Sequence, residues 1–85
     1  MNIQFSSCGL EDYFYWQHFD KKVLKKINDL LKVISRSPYE GIGKPEPLKH
    51  ALSGFWSRRI TNEHRLVYRV EEGTIKLAQA RYHYE

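Results

Sequence analysis

Residues 55–84, FWSRRITNEHRLVYRVEEGTIKLAQARYHY, contain three β-like runs in close succession. The runs are Phe55–Thr61, Arg65–Glu71 and Thr74–Tyr84. The connections at residues 62–64 and 71–73 are short enough for β-hairpins. This stretch therefore predicts three consecutive antiparallel strands.

The segment before these runs predicts a long amphipathic helix. Asp20 is placed to cap it, because a carboxylate can accept hydrogen bonds from the free amides of the first turn. Ser37-Pro38 ends it, since proline disfavours helical geometry in the residue before it. Lysines fill most of the polar side. The apolar stripe recurs at steps of three and four residues and comprises Val23, Leu24, Ile27, Leu30, Leu31 and Ile34.

The remaining segments complete a small mixed architecture. Residues 1–5 alternate and predict a first strand, and Ser6 or Ser7 can cap a helix from about Gly9 to Phe19. Residues 39–53 are predicted to be a loop. The predicted fold is α+β, a small antiparallel β-sheet with two N-terminal helices packed on one face, in the order β-α-α-β-β-β.

The composition predicts one soluble domain with a basic half. The chain has 85 residues, of which 41% are hydrophobic and 28% charged. Residues 44–83 carry eight Lys/Arg against four Asp/Glu, whereas residues 1–43 carry six against five. A basic half with interleaved aromatic residues favours a nucleic-acid partner. Cys8 is the single cysteine, and no signal peptide or membrane span is visible, so a cytoplasmic location is expected.

Alternation within the strands predicts which side chains share a face. The simplest assembly gathers Arg59, Arg65, Arg81 and His83 on the sheet face turned away from the helices. In the last run, Ile75 and Leu77 fall on the polar side of this alternation. A bulge or an end of the core is therefore expected in that strand.

Several segments together resemble one toxin family. They are Pro38–Gly41, Gly43–Lys49, Leu52–Ile60, Glu63–Tyr68 and the ending Arg81–Tyr84. Their order and spacing closely resemble the YoeB/Txe toxins of the RelE/ParE superfamily over nearly the whole chain. The first eight residues and the final Glu85 depart from the usual pattern.

The resemblance implies a toxin of a type II toxin–antitoxin system. Such a toxin enters the ribosomal A site and cuts the mRNA codon there, as a ribosome-dependent endoribonuclease. The implied partners are a YefM/Phd-type antitoxin, the ribosome with its rRNA and mRNA, and a second copy in a homodimer. No cofactor, metal or membrane is implied. The family's functional residues carry over onto Glu46, Lys49, Arg59, Arg65, His83 and Tyr84.

The residue types match the needs of RNA cleavage without a metal. Glu46 is assigned as the base that takes the 2′-OH proton, and His83 as the acid that protonates the departing oxygen. Arginine forks match phosphate oxygens, which suits Arg59 and Arg65. Lys49 is a less directional cation in the same role. RNA-binding roles are assigned to Tyr84, Lys44, Arg58 and Arg81.

Other interpretations of these residues remain open at this point. Glu46 and Lys49 could form a surface ion pair, and Arg65 could pair with Glu63. A relative on the same scaffold could block translation without cutting, or could inhibit gyrase as ParE-like toxins do. The pair of Glu46 and His83 favours cleavage over both alternatives.

Overall fold

Two helices begin at the side-chain caps that the sequence predicts. In the computed structural model, which describes residues 1–83, α1 spans Ser7–Phe19 and α2 spans Lys21–Arg36. Ser6 Oγ accepts from the backbone N–H of Gly9 at 2.9 Å, and the Asp20 carboxylate caps α2 in the same way. Caps of this kind each contribute about 1 kcal/mol. Within residues 1–83, neither helix is long and apolar enough to cross a bilayer.

The strands form one five-stranded sheet, in the spatial order β1-β5-β4-β3-β2. The helices lie between β1 and the remaining strands in the chain, which confirms the α+β class. The sheet is mostly antiparallel, but β1 pairs in parallel with β5, so the purely antiparallel prediction was wrong in this detail. The strands are β1 (Asn2–Phe5), β2 (Glu46–Pro47), β3 (Trp56–Arg59), β4 (Arg65–Glu71) and β5 (Thr74–Gln79).

The structure differs from the sequence prediction at two further places, the loop at residues 39–53 and the end of the last strand. The predicted loop at residues 39–53 contains β2 and a short 3₁₀ turn at His50–Leu52. β5 ends at Gln79 rather than continuing to residue 84. A two-residue strand that contains a proline gives almost no periodic signal, which explains why the sequence did not predict it.

A bulge in β5 confirms the expected break in alternation. Tyr68 of β4 pairs with Leu77, whereas the preceding Val67 pairs with Gln79, so Ala78 is the extra residue. Before the bulge, Ile75 and Leu77 point toward the helices and are buried. After the bulge, Gln79 lies on the opposite face of the sheet.

The hydrophobic core lies between the helices and one face of the sheet. α1 is held at the end of β5 by two hydrogen bonds to Ala80, the residue that follows this strand. The Trp16 indole N–H donates to the Ala80 carbonyl at 2.7 Å, and the Ala80 N–H donates to the Asp12 carboxylate at 3.0 Å. The buried core residues are Trp16, Ile27, Leu30, Leu31, Ile34, Ile60, Leu66, Tyr68, Ile75, Leu77 and Ala80.

Arg58 lies in this interior rather than on the surface. It pairs with Leu66 across the sheet and is 0% exposed. The prediction that Arg58 contacts RNA is therefore wrong, because its side chain is buried. A buried guanidinium is tolerated only when its donors are satisfied. Its nitrogen atoms donate to the Tyr68 hydroxyl at 3.0 Å and to the backbone carbonyls of Ser37 (2.8 Å), Glu40 (2.8 Å) and Ile42 (3.0 Å).

Tyr68 extends the same network. Its hydroxyl accepts from Arg58 and donates to the carbonyl of Pro38 at 2.7 Å. Burial raises the pKa of Tyr68 above its ordinary value, so the hydroxyl keeps the proton that this second bond needs. Together the two side chains fasten the 37–42 loop to β3 and β4.

We expect the loss of this network to destabilise the fold more than the loss of a surface arginine. Arg58→Met leaves three loop carbonyls without their donor and should lower the free energy of unfolding by about 3 kcal/mol or more. Tyr68→Phe should cost about 1–2 kcal/mol. Urea unfolding measures both, with Arg36→Met at the exposed end of α2 as the control. Equal stability of Arg58→Met and Arg36→Met would contradict the assigned role.

Candidate active site

The residues that follow the Arg58 network lead from Gly43 to Glu46 at the edge of the sheet. Gly43 has a φ of 86°, and its carbonyl accepts from the Arg59 N–H at 2.7 Å. A Cβ at this position would lie 3.0 Å from a Leu30 methyl group and 3.1 Å from Arg58 Cβ. Both the positive φ and the close approach therefore favour glycine here. Three residues later the chain enters β2 at Glu46, which is exposed.

The sheet register places Glu46 on the face turned away from the helices. Glu46 pairs with Ser57, Ser57 pairs with Val67, and Val67 pairs with Gln79. This face is not fully open, because Ser57 is 3% and Val67 1% exposed, and Leu48 of the neighbouring segment is buried as well. Glu46 therefore stands at the rim of a covered region rather than on a bare sheet.

Two arginines lie directly opposite each other on the same face. Arg59 of β3 pairs with Arg65 of β4, next to the row that contains Glu46. The Arg65 Nη1 donates to three carbonyls of the β3–β4 turn, and Arg59 is exposed with no side-chain hydrogen bond to residues 1–83. Like charges at directly opposed positions destabilise a sheet. An anionic ligand between them would remove that repulsion.

The carboxylates near this pair do not neutralise it. Within the described chain the salt bridges are Lys25–Asp29, Arg69–Glu71 and Lys76–Glu71, all away from this row. Neither of the two surface pairs left open by the sequence, Glu46 with Lys49 and Arg65 with Glu63, is formed in that range. Lys44 and Lys49 are exposed beside Glu46 and add positive charge.

The C-terminal segment approaches the site from β5. The Gln79 side-chain amide donates to the carbonyl oxygens of Arg81 at 2.8 Å and His83 at 3.0 Å. The Tyr82 N–H donates to His64 Nδ1 at 2.7 Å. The His83 side chain is exposed, and Tyr84 lies outside the described residues. The sequence analysis did not single out His64 or Gln79. The signal available for Gln79 was its spacing of two and four residues from Arg81 and His83, which places it on the same predicted face.

Arg81 does not join the other arginines as predicted. Its guanidinium lies 3.5 Å from the ring centre of Tyr15 on α1 and 4.5 Å from that of Tyr82. These contacts hold the side chain against α1 by cation–π attraction. The prediction that Arg81 lies on the same face as Arg59 and Arg65 is therefore wrong. Its side chain lies between α1 and the C-terminal segment, against Tyr15 and Tyr82.

Two neighbouring clefts connect the base and acid candidates. One, of about 370 Å³, is lined by residues 46–52 and contains Glu46 and Lys49. The other, of about 650 Å³, is lined partly by Gln79, Tyr82 and His83. Leu52 lines both clefts. Glu46 thus borders one cleft and His83 the other, and the backbone N–H of Arg65 donates to the carbonyl of Tyr82 in the second cleft at 3.0 Å. A carboxylate, an imidazole and nearby guanidiniums are groups that can serve proton transfer at a phosphate.

Comparison with known sequences identifies the family. A sequence profile described as "YoeB-like toxin of bacterial type II toxin-antitoxin system" matches residues 5–84. The chain belongs to this family. Toxin YoeB of Escherichia coli strain K12 is 58% identical to this YoeB-like toxin over 84 residues, covering 99% of this chain and 100% of that protein.

Solved structures agree with the YoeB-like assignment. The YoeB/ParE toxin from Agrobacterium tumefaciens has a TM-score of 0.95 and 45% identity, covering 99% of this chain and 100% of that one. YoeB from Staphylococcus aureus, described in a complex with YefM and as a dimer, has a TM-score of 0.93 in both structures. Identity there is 56% and 58%, covering 99% of this chain and 98% of the other.

The opposed arginines predict a stability effect specific to this YoeB-like fold. Arg59→Gln should raise the free energy of unfolding by about 0.2–1 kcal/mol, because it removes the repulsion from Arg65. The gain should shrink between about 0.01 M and 1 M salt, where screening is strong. Urea unfolding at both salt concentrations tests this, with Arg36→Gln as the control. A loss of stability, or the salt response of the control, would contradict it.

Proposed function

We propose that this YoeB-like toxin is a ribosome-dependent endoribonuclease that cuts mRNA in the ribosomal A site. The observation that carries the proposal is the opposed pair of Arg59 and Arg65, which has no compensating carboxylate among residues 1–83. This pair lies beside the row of Glu46 and near the cleft of His83. Guanidiniums of this arrangement suit a phosphodiester that carries extra charge in its transition state.

In the proposed reaction, cleavage proceeds by attack of the neighbouring 2′-oxygen. Glu46 takes the 2′-OH proton, and the 2′-oxygen forms a bond to phosphorus. The bond from phosphorus to the 5′-oxygen breaks, and His83 gives its proton to that leaving oxygen. The products are a 2′,3′-cyclic phosphate and a free 5′-hydroxyl. Charge and protons balance within the site without a cofactor.

The cations hold the phosphate during this reaction. Arg65 is fixed by the turn carbonyls on Nη1, which leaves Nη2 and Nε without hydrogen bonds to residues 1–83 and free to face a phosphate. Arg59 supplies the second fork, and Lys49 and Lys44 add mobile positive charge at the rim. Tyr84, outside the described residues, is proposed to contact the nucleotide.

The exposure of Glu46 and His83 supports a requirement for the ribosome. Both side chains face solvent, so residues 1–83 do not themselves enclose an RNA strand or exclude water around the reacting phosphate. Alignment of the 2′-oxygen with the leaving oxygen is then a task for the ribosome-bound mRNA. Because the proposed substrate is bound to the ribosome, we also propose a cytoplasmic location.

An antitoxin and a second copy are the proposed protein partners. The S. aureus relative is described in a complex with YefM and as a dimer. We extend both to this chain as a YefM/Phd-type antitoxin and a homodimer. Because residues 44–83 have a net charge of +4, an inhibitor that covers them should present carboxylates.

Substitution of the proposed acid and base tests the reaction. Glu46→Gln and His83→Gln should each lower cleavage of ribosome-bound mRNA by roughly 10²-fold or more, with ribosome binding retained. Primer extension measures cleavage. Matched controls are Glu11→Gln and His18→Gln on the exposed side of α1.

Other outcomes of this experiment separate the alternatives. Ordinary cutting by either site variant would refute the acid–base assignment. Growth arrest by the wild-type toxin with no cut mRNA would indicate a non-cleaving inhibitor of translation. Loss of supercoiling activity in a gyrase assay would instead indicate a ParE-like target.

The proposed antitoxin contact predicts a salt-dependent affinity. Arg59→Ala and Lys49→Ala should each weaken antitoxin binding roughly tenfold and reduce its dependence on salt, because each removes a cation from the covered surface. Titration at several salt concentrations gives both quantities. Lys32→Ala on the exposed side of α2 is the control. Unchanged affinity and slope in both site variants would mean that the antitoxin binds another surface.

A further inference from the structure

One glutamine side chain holds three consecutive carbonyl groups. Gln79 Nε2 lies 2.8 Å from the oxygen of Arg81, 3.4 Å from that of Tyr82 and 3.0 Å from that of His83. All three are acceptors, so the atom that faces them must be the donating amide nitrogen. The main chain beyond β5 therefore folds back around the end of this side chain.

The segment needs such support because its backbone is strained. Tyr82 has a φ of 61°, in the left-handed region that residues with a Cβ avoid. A conformation of this kind persists only where the surroundings hold it. Here the Tyr82 N–H donates to His64 Nδ1 at 2.7 Å, and the Tyr82 carbonyl accepts from the Arg65 N–H at 3.0 Å.

His64 is itself fixed by its neighbours. Its ring meets the Trp16 ring edge-on at 4.8 Å and lies 5.6 Å from the Tyr82 ring. Its backbone N–H donates to Thr61 Oγ1 at 3.1 Å. Nδ1 can accept from Tyr82 only when it carries no proton, so the ring in this arrangement is neutral with its proton on Nε2. His64 thus connects the core to the C-terminal segment.

We propose that Gln79 and His64, here called the C-terminal clamp, are positioning residues for the general acid His83. The inference rests on the proposed function, because it assigns them a role only if His83 donates a proton to the leaving oxygen. Neither side chain needs to touch the RNA. The clamp fixes the main chain on both sides of Tyr82, and this sets the direction from which the exposed His83 imidazole approaches the phosphate.

The clamp predicts a loss of rate without a loss of binding. An acid must stand within hydrogen-bond reach of the oxygen it protonates, so a looser segment spends less time in the productive geometry. Gln79→Leu keeps the size of the side chain and removes its donors. Gln79→Glu places a carboxylate against three carbonyl oxygens and should have the larger effect.

The experiment compares single-turnover cleavage at saturating toxin with ribosome affinity. Gln79→Leu and His64→Leu should each lower the cleavage rate roughly tenfold while the Kd for ribosomes changes less than about twofold. His64→Asn should restore most of the rate, because its side-chain oxygen can replace Nδ1 as the acceptor. Gln4→Leu is the matched control. Gln4 lies on β1, and its side-chain amide forms no hydrogen bond within residues 1–83.

Amide hydrogen exchange of Tyr82 in the free toxin provides a readout that is independent of activity. Faster exchange in Gln79→Leu and His64→Leu, with slow exchange recovered in His64→Asn, supports the clamp. Unchanged cleavage in both leucine variants overturns the inference. A parallel loss of rate, ribosome binding and melting temperature also overturns it, because that pattern indicates only a structural role.

Failure of the proposed function has a different signature. If the wild-type toxin does not cut mRNA, or if Glu46→Gln cuts as well as the wild type, the proposed acid–base reaction fails and the positioning role fails with it. If the wild type cuts and Glu46→Gln does not, an unaffected rate in Gln79→Leu counts against the clamp alone.

Discussion

The buried guanidinium of Arg58 is the interaction on which the site depends most. An arginine at 0% exposure is costly unless its donors are satisfied. Here each of its three nitrogen atoms donates, Nε to the Tyr68 hydroxyl and the two Nη atoms to carbonyl groups of the 37–42 loop. The loop is thereby fastened to the sheet immediately before Gly43. Because only a few residues separate Gly43 from Glu46, the position of the proposed base follows from a buried hydrogen-bond network rather than from the strands alone.

The proposed acid is positioned by the same physical means at the other end of the chain. There the carbonyl groups of residues 81–83 are held by Gln79, and the strained Tyr82 is held by His64. The strands directly contribute the opposed arginines. Strands β3 and β4 thus present the phosphate-binding cations. The edge strand β2, which follows the fastened loop, presents the proposed base, and the irregular segment after β5 presents the proposed acid. This arrangement keeps Glu46 and His83 exposed to a large substrate without leaving their main chains loose.

The elements that the sequence predicted well are those that local chemistry determines. The caps at Ser6 and Asp20, the stripe of α2 and the two hairpins depend on residues close in sequence. The parallel pairing of β1 with β5 depends on residues more than 70 positions apart, and no local pattern encodes it. Alternation placed Arg59 and Arg65 on one face, but it could not show that Arg58 would find enough carbonyl groups to be buried. Arg81 was misplaced because the chain leaves the strand at Gln79, where alternation ceases to apply.

The placement of β5 has a consequence for how the molecule is made. Within residues 1–83, β5 is the last strand in chain order, yet it lies between β1 and β4, and Ala80, the residue that follows β5, anchors α1. The sheet and the docking of α1 therefore wait until β5 has left the ribosome that synthesises the chain. Contacts of such long sequence separation form slowly and late. A nascent chain that stops before β5 lacks both the completed core and the segment that carries His83, so the proposed active site can form only after β5 has been synthesised.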